Sequence, residues 1–148
     1  MAEVLPITTL LTDLDGGTPA NWRPANVIKP AFVEVNGANE PFRFDLNVGD
    51  HVIGRAGTPA LNEEPIGNWK YGNRTYNLEL TLYTLTSRQR LYDLMGEIRR
   101  ICHARMHSLT NFQRQQFVTF NEETGEQANV WMGTVDITLE NRAILLDT

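Results

Sequence analysis

The stretch from Arg74 to Met106 constrains the fold most, because its apolar repeat changes from two residues to 3.6 within a few positions. In Tyr76-Asn77-Leu78-Glu79-Leu80-Thr81-Leu82 apolar and polar side chains alternate. That pattern predicts a half-buried antiparallel strand with Tyr76, Leu78, Leu80 and Leu82 on one face. The period changes at Thr86. Thr86-Ser87-Arg88-Gln89 has the spacing of a capping box, with the Thr86 hydroxyl available to the Gln89 backbone N–H. Leu91, Leu94, Met95, Ile98, Ile101, Cys102 and Met106 then follow at intervals suited to one helical stripe. The spacing predicts a helix over about residues 87–106, about 30 Å long. Such a helix can cover a small sheet.

The rest of the chain supplies partners for this unit. Phe32-Val33-Glu34-Val35 alternates within a predicted strand over Val27 to Val35, closed by the turn signal Asn36-Gly37. Pro41 to Leu46 alternates again, and His51-Val52-Ile53-Gly54 reads as a further short strand. Phe117 to Phe120 and Asn129 to Glu140 complete the set. In the last strand Trp131, Gly133, Val135, Ile137 and Leu139 share a face. Arg55 to Gly72, with Gly57, Pro59, Pro65 and Gly67, reads as a loop longer than a compact domain normally needs. Near the start, Ile7, Leu10, Leu11 and Leu14 fit a short N-terminal helix, with an extended arm as the alternative. The expected fold class is therefore α+β, a small antiparallel or mixed sheet with one long helix across a face. With 148 residues, one domain spanning 1–148 is enough to bury about 68–70% of its unfolded surface.

Composition narrows the function classes. A net charge of −5 argues against a protein whose whole surface binds nucleic acid. No window approaches the ~20 apolar residues of a membrane span, and Glu3 and Pro6 do not suit a secretory signal. The expected setting is a cytoplasm. Cys102, the single cysteine, excludes an internal disulfide and sits in the apolar stripe as a small buried hydrophobe. His103 and His107 are four apart, a spacing that can hold a metal, but favourable contact with the helix C-terminus explains them as well. Asp13-Leu14-Asp15-Gly16-Gly17 lacks the ligand pattern of an acidic calcium loop and reads as a turn. The adjacent pairs Glu63-Glu64 and Glu122-Glu123 read as solvated surface. No nucleophile motif or phosphate loop is present, so neither enzyme activity nor a cofactor is expected.

Charge is uneven along the chain. Arg88, Arg90, Arg99, Arg100, Arg105 and Arg114 share their stretch with only Asp93 and Glu97 as acids. Arg99, Arg100 and Arg105 suit the C-terminal half of a helix, where cations offset the macrodipole. Glu97 and Arg100 have the i,i+3 spacing of a helical ion pair. The functional alternative is that these arginines face DNA phosphates or an acidic partner. That would make the chain a soluble nucleic-acid-binding module.

Taken together, Tyr76 to Tyr83, the Thr86-Ser87-Arg88-Gln89 junction, the helix through Met106 and the closing strand Trp131 to Leu139 resemble the tail terminator proteins of long-tailed phages. The resemblance is one of pattern and covers about residues 27–146. It implies a structural virion protein that forms a ring, commonly a hexamer, at the head–tail junction of the particle after assembly in the host cytoplasm. The implied partners are further copies of itself, the tail tube protein and the head connector or neck protein, with DNA passing through the ring. A neck or head-completion protein is the nearest alternative within that class. A ring subunit needs loops and chain ends that reach its neighbours. Arg55, Trp69, Tyr71, Ile144, Leu145 and Leu146 are the candidate interface residues.

Overall fold

The computed structural model describes residues 5–35, 49–67, 70–123 and 130–146. Its elements are helix α1 (Pro6–Leu14), strands β1 (Ala31–Glu34), β2 (Asp50–Pro65) and β3 (Tyr71–Thr84), helix α2 (Arg88–Ala104), and strands β4 (Arg114–Glu123) and β5 (Trp131–Leu145). The sheet order is β1-β2-β3-β5-β4. β1 runs parallel to β2 and the other pairs are antiparallel, so the sheet is mixed and the fold is α+β.

The two-residue period of β3 decides which side of the sheet is apolar. Leu82, Leu80, Leu78 and Tyr76 stand opposite Gly133, Val135, Ile137 and Leu139 of β5. Leu80, Leu82, Val135, Ile137 and Leu139 have no solvent exposure. Over this face α2 packs on β3, β4 and β5, while α1 packs on β1, β2 and β3. The predicted helical stripe is realised, with Leu91, Leu94, Ile98, Ile101 and Cys102 fully buried. Burial, with Asp13 adding, pushes the Cys102 thiol up to about 12, which keeps it protonated and unreactive. α1 is the short N-terminal helix, and it buries Leu10, Leu11 and Leu14.

α1 comes close to the sheet at Gly54. A Cβ at that position would lie 2.7 Å from Ile7 Cδ1 and 2.9 Å from Leu11 Cδ1. The missing side chain therefore sets how closely helix and strand approach. Gly54→Val is expected to cost about 1–3 kcal/mol through overpacking, read as a lower urea midpoint. An unchanged midpoint would mean that α1 does not rest on β2.

The structure departs from the expectations at several places. Arg55 to Gly72 is not a long loop, because β2 continues to Pro65 and pairs with β3 as far as Gly72. The glycine and proline signals mark a bulge over residues 57–60, which lets Pro59 sit in a strand without breaking the ladder. The helix cap is Ser87, whose Oγ accepts from the Arg90 N–H at 3.1 Å, not Thr86. α2 ends at Ala104, short of Met106, so His107 lies beyond the helix. β1 occupies only Ala31–Glu34 of the predicted 27–35 strand. Asn141-Arg142 does not end β5. It forms a second bulge, with Ala143 at φ 53°, and the strand resumes through Leu145. The predicted strand over Pro41 to Leu46 and its flanking turn at Asn36-Gly37 lie outside the described residues. Among the described residues, no helix is long and apolar enough to cross a membrane.

Candidate assembly interface

At one end of the sheet, among the described residues, only three strands continue. β1 pairs with β2 no further than Gly54, and β4 begins at Arg114, opposite Glu140. Beyond that row lie residues 63–65 of β2, 71–74 of β3 and 141–145 of β5. This ribbon is held by its ladder, by the Ile66 N–H donating to the Tyr71 carbonyl at 2.9 Å, and by the Leu146 N–H donating to the Lys70 carbonyl at 2.7 Å. Arg74 clamps it from within, donating to Glu63 Oε1 at 2.6 Å and to the Leu146 carbonyl at 2.7 Å. Gly72 permits the close approach, since a Cβ there would lie 2.5 Å from the Glu64 carbonyl oxygen.

Most of the predicted interface residues meet at this ribbon. Tyr71 is half exposed and pairs with Leu145, while Ile144 stands opposite Gly72. Ile144, Leu145 and Leu146 are half-buried. Arg55 lies elsewhere, on the polar face of the sheet opposite Glu79. Trp69 is outside the described residues. Ile66 at the ribbon's end and Leu61 just inside its base are also exposed, 46% and 41% accessible, and neither was an expected interface residue. Their signal was the apolar residue isolated in a polar run, legible only once that run is known to be a strand. Tyr71, Ile66, Ile144, Leu145 and Leu146 give this end of the ribbon its apolar side chains.

The three arginines proposed for DNA or an acidic partner do not act together. Arg100 donates from Nε to Glu97 Oε1 at 2.9 Å and from Nη2 to the Asn21 carbonyl at 2.5 Å. Arg105 donates to Asp13 Oδ1 at 2.8 Å. Both therefore tie α2 to the N-terminal segment. Arg99 is exposed and makes no ion pair among the described residues. The partners Asp13 and Asn21 are far away in sequence, so helical spacing alone did not reveal them. The expected pairing of Glu97 with Arg100 is present, with Glu97 only 4% exposed.

A cavity of about 460 Å³ lies between α1 and the 105–110 turn, lined mainly by Thr8, Thr9, Thr12 and Thr18. Its two charges, Asp13 and Arg105, neutralise each other. Among the described residues no three His, Cys, Asp or Glu side chains are grouped to hold a metal.

The comparisons with known proteins concern the fold. No family model matches the sequence, and no curated protein does. Among solved structures, a chain from the "Virion of native gene transfer agent (GTA) particle" matches with a TM-score of 0.62 at 8% identity, over 93% of this chain and 95% of that chain. The chain shares its fold with a virion chain. The match spans nearly the full length of both, so the fold likeness takes in the helices and the outer strands along with the central sheet.

Proposed function

We propose that this protein is a structural component of a phage-like virion, a tail-terminator-like subunit. Several copies, six in the simplest case, form a ring that caps the tail tube and joins it to the head connector, with DNA passing through its bore. The observation that carries this reading is the full-length fold match to a virion chain. The apolar three-stranded tip supports it, because a rigid sheet-and-helix body with a projecting sticky end is what a repeated contact requires. A ring uses two different patches on each subunit and closes by rotation. The role is structural rather than catalytic. The internal ion pairs of Arg100 and Arg105 favour it over a nucleic-acid-binding module, since their guanidinium groups are already engaged.

Native mass spectrometry of the purified protein, followed by imaging, tests the reading. The expected result is a discrete ring species, and copies of the chain at one end of the tail in purified particles. A neck protein would instead remain with the head when tails are detached. A protein that is monomeric at all concentrations and absent from particles would overturn the assignment.

A further inference from the structure

One cluster of charges on the body is poorly satisfied. Arg114 and Arg142 share a single carboxylate, Glu140, at 3.9 Å and 3.3 Å. Neither guanidinium donates a hydrogen bond to the protein among the described residues. Arg114 Nε and Glu140 Oε2 are both buried without a hydrogen-bond partner. Other arginines are held closely: Arg88 on Glu122 at 2.6 Å, Arg90 on Asp50 at 2.8 Å and Arg105 on Asp13 at 2.7 Å. The loose pair lines a pocket of about 220 Å³ with His107 and Gln113. The β5 bulge contributes to its shape. Gln113 Oε1 accepts from the Arg142 N–H at 2.8 Å and its Nε2 donates to the Arg142 carbonyl at 3.2 Å, which fixes the backbone from which Arg142 projects. Two guanidinium groups over one carboxylate leave one positive charge in excess and several donors unused. That is the chemistry of a receptor for a second carboxylate.

The sheet register indicates where such a carboxylate can come from. Glu64 is exposed and pairs with no cation among the described residues. It stands opposite Asn73 of β3, whose Oδ1 accepts from the Ala143 N–H of β5 at 3.0 Å. Glu64 and Arg142 therefore occupy the same height on opposite flanks of the three-stranded ribbon. Two strand spacings, roughly 10 Å, separate their backbones, and they do not pair within the chain. Rotation about an axis along the strands preserves height. In a ring whose axis runs along the strands, the acid of one copy therefore lies level with Arg142 of the next.

We infer that Glu64 of one copy enters the Arg114–Arg142 pocket of its neighbour, as the polar lock of a head-to-tail contact beside the apolar tip. DNA phosphate is the less suitable occupant. Glu140 in the pocket and Asp136 on the adjoining sheet face would repel a polyanion, whereas the single excess charge matches one carboxylate. The inference rests on the ring reading above.

A charge swap tests it, with assembly of the full-length protein read by native mass spectrometry and folding checked by circular dichroism. Glu64→Arg and Arg142→Glu are each expected to shift the equilibrium toward free subunits by about tenfold or more, with the double variant recovering most of the loss. Arg142→Gln replaces Arg142→Glu if the latter does not fold. If the unmodified chain forms rings and the single variants assemble equally well, or the double variant is no better than either single, the lock is wrong and the ring stands. If the unmodified chain never associates, both fall. Retention of Arg142-dependent binding to a short DNA duplex by monomers would assign the pocket to phosphate and overturn the carboxylate.

Discussion

Truncating Leu80 or Ile98 to alanine is expected to cost about 2–5 kcal/mol of folding stability. Both side chains have no solvent exposure. Leu80 sits mid-sheet, directly opposite Val135, and Ile98 comes down from the helix that covers it. Removing either leaves a cavity bounded by a sheet below and a helix above, and neither can collapse into the space without breaking its own hydrogen bonds. In a domain of this size that loss corresponds to a melting temperature lower by about 5–20 °C. Urea titration of the two variants checks it. Losses well below 1 kcal/mol at both positions would mean that the apolar faces of β3 and α2 do not meet.

The second large effect is expected at Glu97. Burial by itself raises its pKa, but the hydrogen bonds from Arg100, from the Asn26 side chain and from the Arg23 backbone N–H outweigh burial and hold the carboxyl below its ordinary value. This carboxylate thus joins α2 to the 21–26 segment. Glu97→Ala is expected to cost about 3 kcal/mol, the lower end for breaking a buried ion pair, because Arg100 stays partly solvated and keeps its bond to the Asn21 carbonyl. The pH dependence follows from the depressed folded-state value. The stabilisation is complete above the ordinary glutamate pKa of about 4.3 and is lost as pH falls from there through the folded value. Denaturation midpoints measured across that range should fall more steeply for the natural chain than for Glu97→Gln. Equal slopes would show that the network does not favour the ionised form.

Much of the architecture could be read directly from residue order. The alternation in Tyr76 to Leu82 and in Trp131 to Leu139, and the stripe from Leu91 to Cys102, are local periodicities. Each states which side of its own element is apolar, and two such faces in one small chain have to meet. Helix α1 was legible for the same reason, through Ile7, Leu10, Leu11 and Leu14. The cap position was missed by one residue because Thr86 and Ser87 carry equivalent hydroxyls, and only the backbone geometry at Ser87 selects between them.

The candidate site was less legible, because its parts lie far apart in the chain. Gly57 and Pro59 signal a turn in isolation. In the fold they form a bulge, because the β3 ladder on either side is strong enough to carry four irregular residues. Glu97, Arg100 and Arg105 look like an exposed charged helix end until Asp13, Asn21 and Arg23 arrive from the other end of the chain. Glu64 and Arg142 acquire a shared height only through the register of three strands. Sequence order alone determined periodicity, and so the elements, their buried faces and the α+β class. Tertiary structure alone decided which distant charges become neighbours, since that depends on strand pairing and helix docking that no local spacing encodes.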